Sequence, residues 1–227
     1  MSSKSDNVSD YASPPCFAHE LEYTADGSSV VDAQQKLDVA RWRKSQRECL
    51  IGYRQALPGD ERKLLDGDII DELERLIEPG PELRVSVYWP YRAEPNLQQL
   101  MLDWHAKGAR IALPVVVKNS APMIFREWTP GCAMDRGVLN IPIPAHGEEI
   151  IPNTVIAPLV GFDRQCYRLG YGGGFFDRTL ASLESPALAI GIGHPGLELD
   201  TIYPQVYDIP MDIIITGKGQ VLERPGA

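Results

Sequence analysis

Apolar residues in the first half of the chain recur with the period of amphipathic helices. In the segment 32–57 they lie three, four or seven positions apart, and a Pro-Gly pair follows as a stop signal. A second helix is predicted over 65–77, where Leu and Ile repeat every three or four positions. A third is predicted between Pro95 and Gly108, because its apolar residues share one face. The pattern therefore predicts three helices in this half.

The second half is dominated by short apolar segments that are rich in β-branched residues, with one further helix, "FFDRTLASL", among them. The predicted strands are "LRVSVYW", "RIALPVVV", "MIFREW", "NTVIAPLVGF", "ALAIGI" and "MDIIIT". Buried strands that alternate with helices predict a three-layer α/β/α domain with a largely parallel sheet over residues 32–227. Residues 1–31 are rich in Ser, Asp and Pro without a period, so they are predicted to be a disordered polar tail.

Composition and charge narrow the classes of function. A chain of 227 residues with 44% hydrophobic residues is ordinary for one globular domain, and the sequence contains neither a membrane-spanning segment nor a secretory signal. The four cysteines lack CxxC spacing, so neither a zinc site nor a disulfide framework is indicated. A net charge of -9 argues against nonspecific binding to nucleic acid or to an anionic membrane. We therefore expect a cytoplasmic monomer that acts on small molecules.

The stretch "RLGYGGGFFDR", residues 168–178, concentrates four glycines between a predicted strand and a predicted helix. Ligands of a parallel sheet collect where strands end in loops, and a helix N-terminus offers unpaired N–H groups to phosphate oxygens. The Walker pattern is absent because no Lys-Ser or Lys-Thr follows the last glycine, and GxGxxG fails because Phe175 replaces the third glycine. From the residues alone, an anion site and a packing turn are equally open.

The loop with its flanks, "GFDRQCYRLGYGGGFFDRTLA", residues 161–181, resembles the signature of the 5-formyltetrahydrofolate cyclo-ligase family, which is close to FDxxGxRLGxGxGYYDxxL. Nine residues match this signature in order, Tyr171 and Gly173 match its bacterial form as well, and the similarity extends over residues 36–216. The resemblance implies an enzyme that uses ATP and Mg²⁺ to cyclise 5-formyltetrahydrofolate. The implied products are 5,10-methenyltetrahydrofolate, ADP and phosphate.

The resemblance also implies an ATP site that combines the loop with the first helix. The segment "RKSQR" is similar to a basic segment of the family, so Arg43, Lys44 and Arg47 are implied to contact the nucleotide. A solvated helix face is the alternative for these charges. Arg168 and Tyr171 are implied to take part in catalysis. The ATP-binding residues implied in the loop are Arg168, Gly170, Gly172, Gly173, Gly174 and Phe176.

A folate pocket and a metal site are implied in the same way. Trp89, Glu94 and Tyr171 are implied to bind folate, since a carboxylate suits the N–H donors of a pterin and an aromatic ring suits its flat face. The alternative for Glu94 is an exposed acid at a helix N-terminus. Asp177 and Asp208 are implied to hold Mg²⁺, which takes few protein ligands and keeps several waters. Asp177 also suits the first turn of a helix, and the two roles are compatible.

The chain departs from the family pattern at several positions. Cys166 stands where the signature has glycine, and Phe175-Phe176 replace its Tyr-Tyr pair. Val115 and Ile143 stand where the family has arginine and glutamate. These departures leave open a divergent, non-catalytic member that binds nucleotide or folate. A sugar-phosphate or acyl-CoA enzyme of similar architecture is a second alternative, because a fold does not determine a function.

Overall fold

The computed structural model describes residues 22–23, 29–30 and 33–226 of the chain. The helices are α1 (Ala33–Ala56), α2 (Gly59–Leu76), α3 (Gln98–Ala106) and α4 (Phe175–Ser182). The strands are β1 (Glu22–Tyr23), β2 (Ser29–Val30), β3 (Arg84–Ser86), β4 (Arg110–Val115), β5 (Ile124–Trp128), β6 (Met134–Arg136), β7 (Pro142–Pro144), β8 (Thr154–Pro158), β9 (Gly161–Phe162), β10 (Arg168–Leu169), β11 (Leu188–Ile192), β12 (Ile213–Gly217) and β13 (Gln220–Glu223). Within these described ranges, no helix is long and apolar enough to cross a membrane.

Seven strands form the central sheet, in the order β13-β12-β11-β8-β3-β4-β5. The four inner pairs are parallel, while β5 and β13 pair antiparallel with their neighbours at the two edges. Strands β8 and β11 lie inside the sheet and are covered on both faces, so their sequences are continuously apolar rather than alternating. The predicted largely parallel sheet is confirmed.

Helices cover both faces of the sheet and complete the predicted three layers. On one face, Leu73 of α2 and Trp104 of α3 are fully buried in the same cluster as Ile156 of β8. On the other face, Leu180 of α4 packs against the cluster that contains Val155. Adjacent residues of one strand thus face opposite layers, as the pleat requires. Each fully buried Leu, Ile or Val side chain stabilises the fold by about 1.5–3 kcal/mol.

Helix α1 lies against the segments that follow the parallel strands. Its Leu50 belongs to the same buried cluster as Leu159 and Phe162, which follow β8. Its Trp42 ring packs edge-on against Tyr203, with the ring centroids 4.8 Å apart. The helix therefore lies beside the carboxyl ends of the strands, which is where parallel sheets bind ligands.

Several short strands were not predicted. Strands β6, β7, β10 and β13 contain two to four residues each and lack a long apolar run. The predicted strand 153–162 is divided into β8 and the short β9. Strand β3 covers only part of the predicted segment 83–89, and residues 87–89 of that segment lie outside the strand. Within the predicted tail 1–31, the described residues form a two-stranded ladder of β1 and β2. The remainder of that prediction falls outside the described residues.

We expect Gly67→Ala to raise the free energy of unfolding by about 1 kcal/mol, because Gly67 lies inside α2 and a Cβ there would meet no atom within 4 Å. Gly191→Ala is the contrasting variant. The new Cβ at position 191 would lie 2.8 Å from a methyl group of Leu159 and 3.1 Å from Met211. We therefore expect this variant to lower the free energy of unfolding by about 1–3 kcal/mol. Urea denaturation measures both, and equal effects would contradict the packing described around β11.

Candidate active site

A cleft of about 1050 Å³ opens beside α1 at the carboxyl edge of the sheet. It gathers nearly all of the site residues that the sequence predicts. Those lining it are Arg43, Arg47, Trp89, Glu94, Arg168, Gly170, Tyr171, Gly172, Gly173, Gly174, Phe176, Asp177 and Asp208. The exception is Lys44, which lies on the neighbouring surface of α1. Residues far apart in the chain therefore converge on one site, as the resemblance implies.

The glycine loop, residues 170–174, joins β10 to α4, and its backbone requires glycine at two points. Gly172 has a φ angle of +95°, and Gly174, immediately before the first residue of α4, has a φ of +61°. A Cβ on Gly172 would come within 3.3 Å of the guanidinium carbon of Arg47. The loop therefore brings bare backbone and a cation together at a helix N-terminus, an environment that favours phosphate oxygens.

Two arginines one turn apart on α1 face this loop and the opposite wall of the cleft. Arg47 donates from Nε to the carbonyl oxygen of Gly170 at 2.7 Å. Arg43 is 8% exposed and donates to the carbonyl oxygen of Ile202 at 2.9 Å and to the Asp208 carboxylate at 2.5 Å. Burial and the nearby charge of Arg43 lower the pKa of Arg47. The alternative of a solvated helix face is therefore wrong for Arg43 and Arg47, whereas Lys44 is exposed as that alternative predicts. An anion beside Arg47 would be stabilised.

Arg168 is a buried cation with a donor that no described protein group satisfies. Its Nη2 donates to the Asp177 carboxylate at 3.0 Å, and its guanidinium carbon lies 5.0 Å from the centre of the Phe176 ring. Its Nε is buried and has no hydrogen-bond partner among the described residues. A buried unsatisfied donor costs about 1–3 kcal/mol, and more when it is charged. The arrangement favours a ligand that brings an acceptor to this nitrogen.

Asp177 and Asp208 both line the cleft, and each is paired with an arginine. Oδ2 of Asp208 accepts from Arg43 at 2.5 Å, while its Oδ1 has only a 3.4 Å contact with the same arginine. Oδ2 of Asp177 accepts from Arg168, and its Oδ1 accepts a longer bond, 3.3 Å, from the Ile209 N–H. Each carboxylate thus keeps one weakly bonded oxygen.

These two carboxylates fit Mg²⁺ better than a metal that demands a full set of protein ligands. Within the described part of the chain, no three His, Cys, Asp or Glu side chains are grouped to hold a metal ion. Mg²⁺ is commonly held by one or two carboxylates, with phosphate oxygens and waters completing its shell. The weakly bonded oxygens of Asp177 and Asp208 match that ligand set.

A buried hydrogen-bond network forms the other end of the cleft. Arg54 is completely buried, and its guanidinium donates to the Tyr171 hydroxyl at 2.7 Å and to the carbonyl oxygens of Arg92 and Leu159 at 2.9 and 2.8 Å. Tyr171 in turn donates to the Glu94 carboxylate at 2.9 Å. Arg54 thereby fixes the hydroxyl group of Tyr171, a predicted folate-binding residue, and the backbone at Arg92 and Leu159.

Glu94 is 6% exposed and lies ahead of α3, so the alternative of an exposed acid at a helix N-terminus is wrong. Its second oxygen accepts from the Tyr91 N–H at 2.9 Å. Burial raises the pKa of Glu94 to about 7, although Arg54 and the bonds from Tyr91 and Tyr171 oppose the shift. Burial and the Glu94 charge also raise the pKa of Tyr171, so its hydroxyl keeps its proton. A carboxylate of this kind can accept hydrogen bonds from a ligand, or exchange a proton, near neutral pH.

Arg54 was not predicted as a site residue, since it belongs to the periodic pattern of α1 and no local motif marks it. Its partners lie 38, 105 and 117 residues away in the chain. Arg178 was also not predicted, although it lines the cleft with its guanidinium carbon 5.3 Å from the Phe175 ring centre. The sequence does show that Arg54 lies at a position of α1 where the helical period predicts an apolar residue. That observation does not identify Tyr171 or Glu94 as its partners.

Two of the departures from the family pattern have their side chains away from the cleft. Cys166 has a φ of +62°, the left-handed region in which glycine is favoured, which accounts for the glycine of the signature. Its thiol is buried, and burial raises its pKa to about 11. Val115 is buried at the end of β4. Cys166 therefore affects the backbone geometry, and Val115 the packing of the sheet.

The other departures lie in the cleft itself. Phe175 and Phe176 begin α4 and place their rings beside Arg178 and Arg168, with 5.3 and 5.0 Å between guanidinium carbon and ring centre. Ile143 lines the wall formed by β7. The aromatic stacking surfaces of the family pattern are thus retained without their hydroxyl groups.

The fold and the cleft together define an α/β protein with a glycine loop at a helix N-terminus and with buried arginines and two aspartates at the carboxyl edge of a parallel sheet. The profile of the 5-formyltetrahydrofolate cyclo-ligase family matches residues 39–217. The chain belongs to this family, which confirms the family and the enzyme class that the signature implied.

Relatives and solved structures agree with this membership. The 5-formyltetrahydrofolate cyclo-ligase of Mycolicibacterium smegmatis is 31% identical over 142 residues, which cover 59% of this chain and 73% of the relative. That of Escherichia coli K12 is 30% identical over 139 residues, covering 58% of this chain and 76% of the relative. The NMR structure of Aquifex aeolicus 5,10-methenyltetrahydrofolate synthetase superposes with a TM-score of 0.70 at 26% identity, over 82% of this chain and 94% of that one.

Proposed function

We propose that this protein catalyses the ATP- and Mg²⁺-dependent cyclisation of 5-formyltetrahydrofolate to 5,10-methenyltetrahydrofolate, with release of ADP and phosphate. The observation that carries the proposal is the two-ended cleft. One end holds the buried carboxylate of Glu94, and the other holds Arg168 with an unsatisfied donor beside the glycine loop. A folate ring with N–H donors suits the first end, and a nucleotide triphosphate suits the second.

In this proposal the folate binds at the buried end. The pterin stacks on the aromatic walls formed by Trp89 and Tyr171, and its N–H groups donate to Glu94. Arg54 holds the Glu94–Tyr171 pair in place, which limits the reorganisation that binding requires. The formyl group is thereby directed toward the glycine loop.

The triphosphate binds at the other end, where Arg43, Arg47 and Arg168 carry the positive charge. The formyl oxygen attacks the γ-phosphorus and ADP leaves, after which N10 of the folate attacks the formyl carbon. Phosphate then departs with the former formyl oxygen, and the N10 proton is released to solvent. No protein nucleophile is needed, so the residues act by alignment and by stabilising charge on the transferred phosphoryl group.

Asp177 and Asp208 would hold the Mg²⁺ through their weakly bonded oxygens. When bound, the ion would neutralise charge on the phosphate oxygens of the nucleotide. In this proposal Arg168 keeps its bond from Nη2 to Asp177. Its Nε, which has no hydrogen-bond partner among the described residues, would donate to the phosphoryl group.

We expect Asp177→Asn to raise the Mg²⁺ concentration needed for half-maximal turnover by at least about tenfold, with a smaller loss at saturating Mg²⁺. The amide keeps the shape of the carboxylate but lacks its charge. Turnover measured against Mg²⁺ concentration tests this prediction. Asp163→Asn is unsuitable as a control, because the Asp163 carboxylate accepts hydrogen bonds from three backbone N–H groups. Asp200→Asn, at an exposed position, serves instead. A wild-type Mg²⁺ response in the folded Asp177→Asn variant would reject the metal role.

The activity itself is tested by near-ultraviolet absorbance, because the methenyl bridge between N5 and N10 extends the conjugated system of the product beyond that of the substrate. The protein is mixed with 5-formyltetrahydrofolate in the presence and absence of ATP and of Mg²⁺. A rise that requires both additions supports the cyclo-ligase, whereas no rise with bound nucleotide supports the non-catalytic alternative. The family match sets aside the sugar-phosphate and acyl-CoA alternative. The cytoplasmic location and the monomeric state stay predictions.

A further inference from the structure

Arg178 is a cation of the cleft that the proposed function leaves without a role. It lies in the first turn of α4, and its side chain lines the cleft beside the glycine loop. Its backbone N–H donates to the carbonyl oxygen of Gly174 at 3.1 Å and closes the first turn of the helix. The residue therefore belongs to the end of the cleft that the proposed function assigns to the triphosphate.

The guanidinium group of Arg178 is held against the glycine loop. Its Nη2 donates to the carbonyl oxygen of Gly173, and its carbon lies 5.3 Å from the centre of the Phe175 ring. Its Nη1 lies beside Gly174, where an added Cβ would be only 2.8 Å from this nitrogen. The glycine at position 174 thus allows the guanidinium group to approach the backbone of the loop.

The charge of Arg178 is not balanced by an acidic side chain. The two buried arginines of the cleft each have a carboxylate partner, Asp208 for Arg43 and Asp177 for Arg168. Over the described ranges of the chain, no carboxylate forms an ion pair with Arg178. The N-terminal end of a helix carries a partial positive charge, so a cation in the first turn is unfavourable there. An anionic ligand at the loop would compensate for both charges.

Two buried donors at this end of the cleft, the Nε of Arg168 and the Nε of Arg178, have no partner in the part of the chain that the structure describes. The two arginines have different surroundings. Arg168 stacks on Phe176 and is bonded to Asp177. Arg178 stacks on Phe175 instead and contacts neither aspartate of the proposed metal site. Because a triphosphate carries anionic oxygens on consecutive phosphate groups, two separate donors suit two different phosphates.

We propose that Arg178 binds the β-phosphate of the nucleotide and stabilises ADP as the leaving group. The proposal rests on the proposed function, because it takes the transferred γ-phosphoryl group to lie at Arg168, beside Asp177. The bond from the formyl oxygen to the γ-phosphorus forms as the bond from that phosphorus to the β–γ bridging oxygen breaks. The electron pair of the broken bond stays on ADP, so negative charge grows at the β-phosphate.

Arg178 suits this position because no carboxylate competes with the phosphate for its charge. Its bond to the Gly173 carbonyl and its contact with the Phe175 ring hold the guanidinium group in place before the nucleotide binds. A donor that is already oriented needs little reorganisation when charge develops beside it.

Arg178→Gln tests the proposal, because it removes the charge and keeps a polar side chain. Arg75→Gln is the matched control, since it removes the same charge from an exposed position in the last turn of α2, outside the cleft. Calorimetry without folate measures the affinities for MgADP and for the non-hydrolysable β,γ-imido analogue of MgATP. We expect Arg178→Gln to weaken both by at least about tenfold, and Arg75→Gln to change both less than about twofold.

The pair of nucleotides identifies the phosphate. Weaker binding of the imido analogue alone would assign Arg178 to the transferred γ-phosphoryl group and would overturn the proposal. Wild-type affinity for both nucleotides in Arg178→Gln would overturn it as well. Arg178→Lys keeps the charge without the planar fork, so we expect its MgADP affinity to lie between those of the wild type and Arg178→Gln.

Stability separates ligand binding from a structural role. We expect the midpoint of urea denaturation of the ligand-free protein to be unchanged or higher in Arg178→Gln, because an unpaired cation is removed from a helix N-terminus. A lower midpoint with unchanged affinity for MgADP would show that Arg178 only supports the loop.

Turnover separates this proposal from the proposed function. With 5-formyltetrahydrofolate and saturating MgATP, we expect Arg178→Gln to lower kcat by at least about tenfold, with the folate KM changing less than about twofold. A wild-type kcat in this variant would overturn the leaving-group role. If the wild type forms no methenyl product, the proposed function fails, and the calorimetry still decides whether Arg178 binds the β-phosphate.

Discussion

Arg168→Lys is expected to lower kcat by at least about a hundredfold with little change in the folate KM. Lysine keeps the positive charge but not the planar fork, and the geometry needs two donors at once, one for Asp177 and one for the transferred phosphoryl group. Removal of one aligned donor to a developing anion typically costs a factor of 10² to 10³. The loss should appear in kcat because the interaction matters most in the transition state.

The control is Arg164→Lys, in the same β9–β10 region but exposed and paired only with Glu198. We expect it to change kcat less than about twofold, because exposed ion pairs contribute little. Single-turnover kinetics on both variants separates chemistry from product release. A folded Arg168→Lys enzyme with wild-type kcat would show that this arginine does not act on the phosphoryl group.

Arg54→Met is expected to lower the free energy of unfolding by about 3–5 kcal/mol, because the apolar side chain fills the space but leaves the buried Glu94 carboxylate without its cation. The carbonyl oxygens of Arg92 and Leu159 lose their donors as well. Adding Glu94→Gln to this variant should recover part of the loss, since the uncompensated charge is then removed. Urea denaturation of the two single variants and the double variant measures the coupling. Strict additivity would contradict the network.

The same network has a pH signature. Glu94 has a pKa of about 7 in the folded protein against an ordinary value of 4.5, so between these values the folded state binds more protons than the unfolded state. The free energy of unfolding therefore falls as the pH rises from about 4.5 to 7, and Glu94→Gln should abolish this part of the dependence. Arg54 opposes the shift, so the pH at which the folate KM changes should move upward in Arg54→Met. A merely structural role for Arg54 would not move this midpoint.

The sequence predicted the parts of the site that carry their own local signature. Gly172 and Gly174 stand where the backbone adopts positive φ, and such positions favour glycine. Arg43 and Arg47 lie one turn apart on a periodic helix, so their common direction follows from the period alone. The parallel sheet followed from continuous apolar runs such as β8 and β11.

The sequence did not predict what depends on contacts across the chain. Glu94 precedes a proline near a helix, and locally it resembles an exposed first-turn acid, yet the turn of residues 91–94 carries it into the interior. Arg54 follows the helical period, and the carboxylate beside it lies 40 positions away. Lys44 shares a basic segment with Arg43 and Arg47, but it is exposed on the helix surface and lies outside the cleft. In each case the sequence does not show whether the side chain is buried or which neighbouring groups it faces.

The central claim is that ring closure is driven by transfer of the terminal phosphoryl group of ATP to the formyl oxygen. The most direct measurement follows inorganic phosphate and the methenyl product in the same reaction with 5-formyltetrahydrofolate, ATP and Mg²⁺. We expect one phosphate for each methenyl product, and an ¹⁸O label in the formyl group should appear in the released phosphate. Product without phosphate, or phosphate without the label, would contradict the account.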